Sequence, residues 1–436
     1  MSWLDRHRLK LYVRNSIWIL PALSIGAGLI AVLLLNRIDR ALGWEMNLGV
    51  DTAQTVMGTV AASMFTLVVV SSSAVLVAVQ LASAQLTPRI ILLVYRSRIR
   101  KLCVSAFVFT FTFSVGALVR IESTVPLLTS YVAAYGFLLN LALFLYFVDS
   151  MGKTLRPGSA LQAVGRAGRE VVQSVYPSKL KRDEVSVQNP IAIPHKDPRR
   201  VILNEFDGVV LAFDRRGLVT LAEHSDCIIE LVPQVGDFIA AGEPLFRTYN
   251  GGENLEVERL RQSVALGQER TLEQDPMYAF RIIVDIASKA LSPAINDPTT
   301  AVLAIDQVHH LLRDIGSRSL AEGRETDHNG KLRLVYRTPN WEDFVLLAVT
   351  EIRQYGRDSI QIVRRLRAML ENLIETLPER RDPMLRLELT LLEASAKRTF
   401  FDLYDQALAE TGDLQGMGGR NKNGREHNEK GISAIA

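Results

Sequence analysis

Residues 51–89 read DTAQTVMGTVAASMFTLVVVSSSAVLVAVQLASAQLTPR. Asp51 and Arg89 are charged, and nothing between them is. A bilayer core of about 30 Å takes about 20 apolar residues. The stretch is therefore long enough to cross a membrane, and as one continuous helix it would run about 55 Å. Stepping alternately by four and three, Thr59, Ser63, Thr66, Val70, Ser73, Val77, Gln80, Ala84 and Thr87 fall on one helix face. Ser71, Ser72 and Gln85 widen this polar sector. Polar groups facing lipid are costly, so the stripe must meet another helix or water. Two readings stay open: close helix packing through small residues, or a conduit wall with Ser63, Thr66, Ser73, Gln80 and Thr87 as pore-lining residues.

Three more uncharged stretches flank this one, giving four spans at about 17–35, 55–80, 102–120 and 126–148. Residues 1–150 hold 12 Lys/Arg and 6 Asp/Glu, whereas residues 151–436 hold 38 and 41. That asymmetry excludes a single soluble domain, a disordered chain and a nucleic-acid-binding protein with a dominant basic surface. The basic start also describes a signal peptide. The first apolar run, however, ends at Asn36-Arg37 without a small-x-small cleavage site, so it reads as an uncleaved first span. Lys and Arg concentrate before the first span, at Arg89–Lys101 and after the fourth span. The positive-inside rule then places both termini in the cytoplasm. No Asp, Glu, Lys or His lies inside a span proper, which argues against a pump built on an intramembrane carboxylate. With only Cys103 and Cys227, a disulfide framework is not expected.

Residues 151–200 form a basic, then Pro-rich connector. From 201 to 250 short strands are expected in VILNEF, GVVLAF, LVTLAE, CIIELV, DFIAA and EPLFRT, a small β-barrel or sandwich. The run from Val235 to Phe246 resembles the closing half of barrel-sandwich hybrid domains related to biotinyl and lipoyl carriers. The lysine hairpin of those carriers has no counterpart, so no covalent cofactor follows. Glu223, His224, Asp226 and Cys227 are metal-ligand types, but neighbours in one turn cannot all converge on one ion.

Residues 254–410 read as a helical domain. Asp275-Pro276, Asp297-Pro298 and Asp382-Pro383 each pair a good N-cap with proline at the first helical position. Helices are expected near 254–266, 276–291, 298–317, 341–376 and 383–409, the fourth with a seam for core packing or a subunit contact. The densest motif joins two helices through LSPAINDP. Arg281 and Asp285 are spaced to pair. The loop residues Ser292, Asn296, Asp297, Thr299 and Thr300 are candidates for binding a small ligand or ion at a helix N-terminus. Asp306 and His310, four apart, are a candidate acid–base or metal pair. Residues 411–436 read as a disordered tail.

The four spans, QLASAQLTPR, HSDCIIELVPQVGDFIAAGEPLF and above all RIIVDIASKALSPAINDPTTAVLAIDQV resemble a family of predicted bacterial membrane proteins, domain of unknown function 2254 (DUF2254). The resemblance covers about residues 10–405 and implies a bacterial inner-membrane protein. It carries no activity, substrate or catalytic residue. The chain has no nucleophile elbow, phosphate loop, HExxH helix or CxxC pair, so neither catalysis, a cofactor nor a metal is expected. The expected whole is an α-helical membrane domain of four transmembrane helices plus a cytoplasmic α+β part, a small β-barrel or sandwich followed by a helical bundle. Its expected partners are the lipid bilayer, copies of itself and a small ligand or ion, with no nucleic acid. A channel-like homo-oligomer leads; a membrane-anchored sensor or scaffold is the alternative. An enzyme using Asp306 and His310, or Glu223 and His224, comes third.

Overall fold

The computed structural model describes residues 2–91, 97–122, 124–154, 156–180, 197–320 and 323–419. The chain divides into an apolar unit, Lys10–Ala160, and a polar unit from Leu161 onward that also takes in the first nine residues.

After α1 (Trp3–Asn15), the apolar unit contains α2 (Ile19–Leu42), α3 (Val50–Gln85), α4 (Arg98–Leu118) and α5 (Leu127–Thr154). These last four are long and apolar enough to cross a membrane. Helix α4 packs along α2, α3 and α5. The approach to α2 is close: a Cβ added at Gly116 would lie 2.8 Å from Val32, so only glycine fits. Between α4 and α5, Asn140 Nδ2 donates to Thr110 Oγ1 at 2.7 Å. The two short linkers pair with each other, Met46 N donating to Val125 O and Leu127 N to Trp44 O. Asp39, near the end of α2, is 2% exposed. Its carboxylate accepts from Leu128 N (2.9 Å), Thr129 N (2.9 Å) and Thr129 Oγ1 (2.7 Å), capping α5 from another helix.

Helix α3 ends at Gln85, earlier than the stripe on its face predicts. Pro88 disfavours the helical region for the residue before it, and Thr87 is extended, with φ −161° and ψ 146°. Thr87 is buried off the helix and leaves the set of pore-lining candidates.

The polar unit begins on α6 (Pro157–Val175). Strands β1 (Arg200–Leu203), β2 (Gly208–Phe213), β3 (Ile228–Leu231), β4 (Phe238–Ile239) and β5 (Pro244–Tyr249) follow, with α7 (Arg215–His224) between β2 and β3. The expected strand LVTLAE is thus helical. Asp214 caps it, accepting from Gly217 N at 3.0 Å, and Leu218 and Ala222 lie one turn apart on its buried face. Next come α8 (Val257–Arg261), β6 (Val264–Gly267), α9 (Pro276–Ala290), α10 (Pro298–Gly316), β7 (Gly323–Thr326) and β8 (Leu332–Tyr336). The last helices are α11 (Trp341–Tyr355), α12 (Ile360–Thr376), α13 (Asp382–Thr399) and α14 (Leu403–Ala409).

No barrel closes among the described residues. The strands form a five-stranded sheet in the order β1-β5-β3-β8-β7 and a three-stranded sheet in the order β4-β2-β6. Pairing is antiparallel except between β3 and β8. The Val235–Phe246 run joins two strands that belong to different sheets. One apolar cluster draws Val210 and Val264 from the small sheet, Phe246 and Leu334 from the large one, and Leu218 from α7. Three of the eight strands come from beyond residue 254, inside the part expected to be helical.

The long helix expected over 341–376 breaks at Gly356 into α11 and α12, so its seam does not run as one face, and Tyr355 is exposed. Helix α12 carries three buried arginines. Arg364 donates to Thr411 O and Gly419 O at 3.0 and 2.8 Å, and Arg367 to Ala409 O at 3.1 Å. The tail expected to be disordered is therefore anchored as far as Gly419; the rest of it lies outside the described residues.

Candidate functional site

Two side chains of the LSPAINDP loop bond to the helices on either side of it. Ser292 Oγ donates to Lys289 O (2.7 Å), and Asp297 accepts from Thr300 N (3.1 Å) and Thr300 Oγ1 (2.5 Å). Asn296 is exposed in the left-handed region, with φ 49°, a conformation asparagine tolerates. Thr299 is exposed and Thr300 buried. Arg281 pairs with Asp285 (Nε–Oδ1 2.7 Å) and makes a bidentate pair with Glu351 of α11 (2.5 and 2.6 Å). The structure thus ties Arg281 and Asp285 into the α9–α11 contact. Capping, turn and packing account for most of these side chains.

Three members of the candidate chemical pairs have partners outside their pair, and the fourth, His310, is exposed. Asp306 is held by Arg365 (Nε 2.8 Å, Nη2 2.7 Å), and His310 is exposed. His309 Nε2 lies 2.9 Å from Asn372 Oδ1, and burial pushes its pKa below the ordinary value. Glu223 pairs with His328 (3.0 Å), while His224 Nδ1 faces Thr220 O (2.7 Å). Asp226 binds Lys331 and Arg333, which hold its carboxyl below the usual range. Burial raises the Cys227 thiol to about 11. Among the described residues no group of three or more His, Cys, Asp or Glu could hold a metal ion.

On α3 the face opposite the stripe is the buried one: Ala53, Met57, Val60, Met64, Val75, Ala78 and Ala82. Thr59, Thr66, Ser73 and Gln80 are exposed, and Ser63 is half-buried. Thr59, Ser63 and Thr66 donate to the carbonyl four residues back, at 2.8, 2.8 and 3.0 Å. Such back-bonding satisfies a hydroxyl donor without a neighbour. Gln80 carries a full amide on the same face.

The polar unit also contains a cavity of about 300 Å³. Its walls include Tyr176, Phe213, Arg215, Gln234, Asp275 and Tyr336. Phe213 and Tyr336 meet edge to face, with centroids 4.9 Å apart, and the Arg215 guanidinium lies 5.4 Å from the Tyr336 ring centroid. Gln274 brackets the Phe213 backbone, accepting from its N–H (3.1 Å) and donating to its carbonyl (3.2 Å). Burial pushes the Tyr336 hydroxyl up to about 12. Asp275 caps α9 through Oδ1, which accepts from Tyr278 N at 3.1 Å. It is 3% exposed, and its Oδ2 has no hydrogen-bond partner. The nearest cation, Arg270 Nε, stands 3.9 Å from Oδ2 and donates to Gly236 O at 2.8 Å instead. Gly236, with φ +95°, admits this crowding: a Cβ there would lie 2.7 Å from Oδ2. Burial raises the Asp275 carboxyl to about 6, with the Arg270 charge opposing it. In the sequence Asp275 shows only its capping role; the cavity gathers it with residues from four other segments.

A family described as predicted membrane protein (DUF2254) matches residues 14–372. Similar proteins include an uncharacterised protein of Mycobacterium bovis and one of Mycobacterium tuberculosis. Each is 26% identical over 432 residues, covering 93% of this chain and 81% of the relative. No solved structure matches. The family match takes in all four apolar helices and most of the polar unit, so this chain belongs to the DUF2254 family of predicted membrane proteins.

Proposed function

We propose that this protein is a homo-oligomeric, channel-like protein of the bacterial inner membrane, its polar unit a cytoplasmic regulatory part. The observation that carries the reading is the outward face of α3. Thr59, Thr66, Ser73 and Gln80 are exposed on a helix whose opposite face is packed. A Gln amide in contact with lipid leaves donors and an acceptor unmet, which hydrocarbon penalises. A second copy or a water-filled path removes that penalty. The clusters of Lys and Arg flanking the spans support the cytoplasmic placement of the polar unit.

The test combines cross-linking with flux. Ser73→Cys in the full-length protein should form an intermolecular disulfide under oxidation, since Cys103 and Cys227 are buried. Liposomes containing the purified protein should then release ions or small solutes. A monomer in detergent, with tight liposomes, overturns the proposal. The second reading, a membrane-anchored sensor, is favoured by the cavity at Asp275.

A further inference from the structure

Three segments meet at one end of the apolar unit: the close of α1, the start of α4 and the close of α5. Residues 10–18, 97–104 and 149–156 hold seven Lys/Arg and one Asp. Lys101 Nζ donates to Arg14 O at 2.7 Å, which ties α4 to the end of α1. Arg100 Nη1 donates to Thr154 Oγ1 at 2.9 Å, which ties α4 to the end of α5. Both acceptors are neutral, so these bonds orient the two cations without cancelling their charge. Arg100 and Lys101 are buried, whereas Arg14, Arg98, Lys153 and Arg156 on the same segments are exposed. The one carboxylate, Asp149, pairs with Lys153 at 2.5 Å. Like charges gathered in this way repel one another, and a bound anion relieves the repulsion.

The place of the cluster says which anion. Arg98, Arg100 and Lys101 open α4, Lys153 closes α5, and only Ser16, Ile17 and Trp18 separate α1 from α2. All three of those helices are long and apolar enough to cross a membrane. Tyr12 and Trp18 are exposed and meet edge to face, with ring centroids 6.5 Å apart. Tyr and Trp concentrate at membrane–water interfaces. Leu20, Ile99 and Leu102, beside the cations in the chain, are exposed apolar side chains. Charge and apolar surface therefore lie next to each other, as a phosphate group and its acyl chains do.

We infer that this end of the apolar unit binds the headgroup of an anionic phospholipid. Arg14, Arg98, Lys153 and Arg156 are its direct donors, and the buried Arg100 and Lys101 supply fixed positive charge behind them. The acyl chains run past Leu20, Ile99 and Leu102. Basic clusters beside spanning helices recognise lipid phosphates through the same combination of charge and position. Lipid binding here needs the four apolar helices in a bilayer and is independent of conduction through α3.

Thermal unfolding of the full-length protein, stripped of lipid in a neutral detergent, tests it. The probes are dioleoyl phosphatidylglycerol, dioleoyl phosphatidylcholine and inorganic phosphate. The two lipids share their chains, and phosphate supplies the anion without them. At ten times its dissociation constant phosphatidylglycerol should raise Tm by about 3 °C. The other two at the same concentration should not. Raising NaCl to roughly 0.5 M should at least halve the shift, because salt screens exposed cations. Combining Arg14→Gln, Arg98→Gln, Lys153→Gln and Arg156→Gln should abolish it. The same charge removed from the polar unit, by Arg216→Gln, Arg357→Gln, Arg386→Gln and Arg398→Gln, should leave it intact. No shift with phosphatidylglycerol overturns the inference, and so does an equal shift with phosphatidylcholine. An equal shift with inorganic phosphate replaces the lipid by a free anion and overturns it too. Survival of the shift in the first variant, or its loss in the second, has the same consequence. Should the first variant fail to fold, the lipid pair and the salt dependence in the wild type still decide.

Discussion

Two buried aspartates stand at helix N-termini, one in each unit, and they are used differently. Asp39, 2% exposed, caps α5 across a chain separation of about 90 residues, and both oxygens accept hydrogen bonds. Asp275, 3% exposed, caps its own helix through one oxygen and leaves the other unbonded. In the apolar unit, where the surroundings of a spanning helix supply few donors, the carboxylate is saturated by the backbone it organises. In the polar unit the second oxygen makes no hydrogen bond and stands 3.9 Å from the Arg270 guanidinium, a charge partner at a distance. Equal burial therefore hides different electrostatics: three hydrogen bonds satisfy Asp39, whereas Asp275 has one through Oδ1 and a more distant cation at Oδ2.

The strongest way to break this contrast is Asp39→Ala. It strips acceptors from two backbone N–H groups and a hydroxyl in the interior, so stability should fall by about 3–5 kcal/mol. Denaturant titration in mixed micelles measures the loss; one below about 1 kcal/mol would mean that the cap is dispensable. Asp275 should behave in the opposite sense. Its folded pKa of about 6 lies above the ordinary 3.8, so the native state holds the proton more tightly than the unfolded chain. The associated stability is present below the unfolded value and is lost as pH rises from there through about 6. The amount is on the order of 2–3 kcal/mol. Urea midpoints taken from pH 4 to 7.5 should show that decline in the wild type and a flatter profile in Asp275→Asn. The smallest effect on folding belongs to the exposed stripe. Thr66→Val preserves shape and should change stability by no more than about 0.5 kcal/mol. It should nevertheless weaken association between copies, read as reduced cross-linking through Ser73→Cys.

Much of the apolar unit could be read from the chain. Charge-free windows locate four helices because lipid forbids charge over a fixed length. Local competition set the errors. Pro88 ends α3 before Thr87, a boundary that the periodicity of the face concealed. LVTLAE alternates well enough to pass for a strand, while the decisive signal was the Asp214–Gly217 cap just before it. Gly356 was visible as a helix stop, yet the apolar seam appeared to cross it. Strands β6 to β8 were illegible for another reason: β8 pairs with β3 about a hundred residues earlier, and short strands carry little signal of their own. The cavity was the least legible feature, since its walls come from five separated segments. Of the candidate site residues, Thr66, Ser73 and Gln80 are exposed on α3, Ser63 is half-buried, Thr87 lies beyond the helix end, and the 281–300 set makes mostly caps and ion pairs.

The Asp39 cap also has a bearing on how the protein is made. Its partners, Leu128 and Thr129, are synthesised about 90 residues after it. At 5–20 residues per second the wait is roughly 5–20 s. Throughout that interval the end of the first span carries an ionisable group with no acceptor role to fill. Nascent chains stalled before residue 127 should therefore leave Asp39 open to a carboxyl-modifying reagent, and longer ones should protect it. Arrival of the last span would then be the event that commits the first to its final depth in the bilayer.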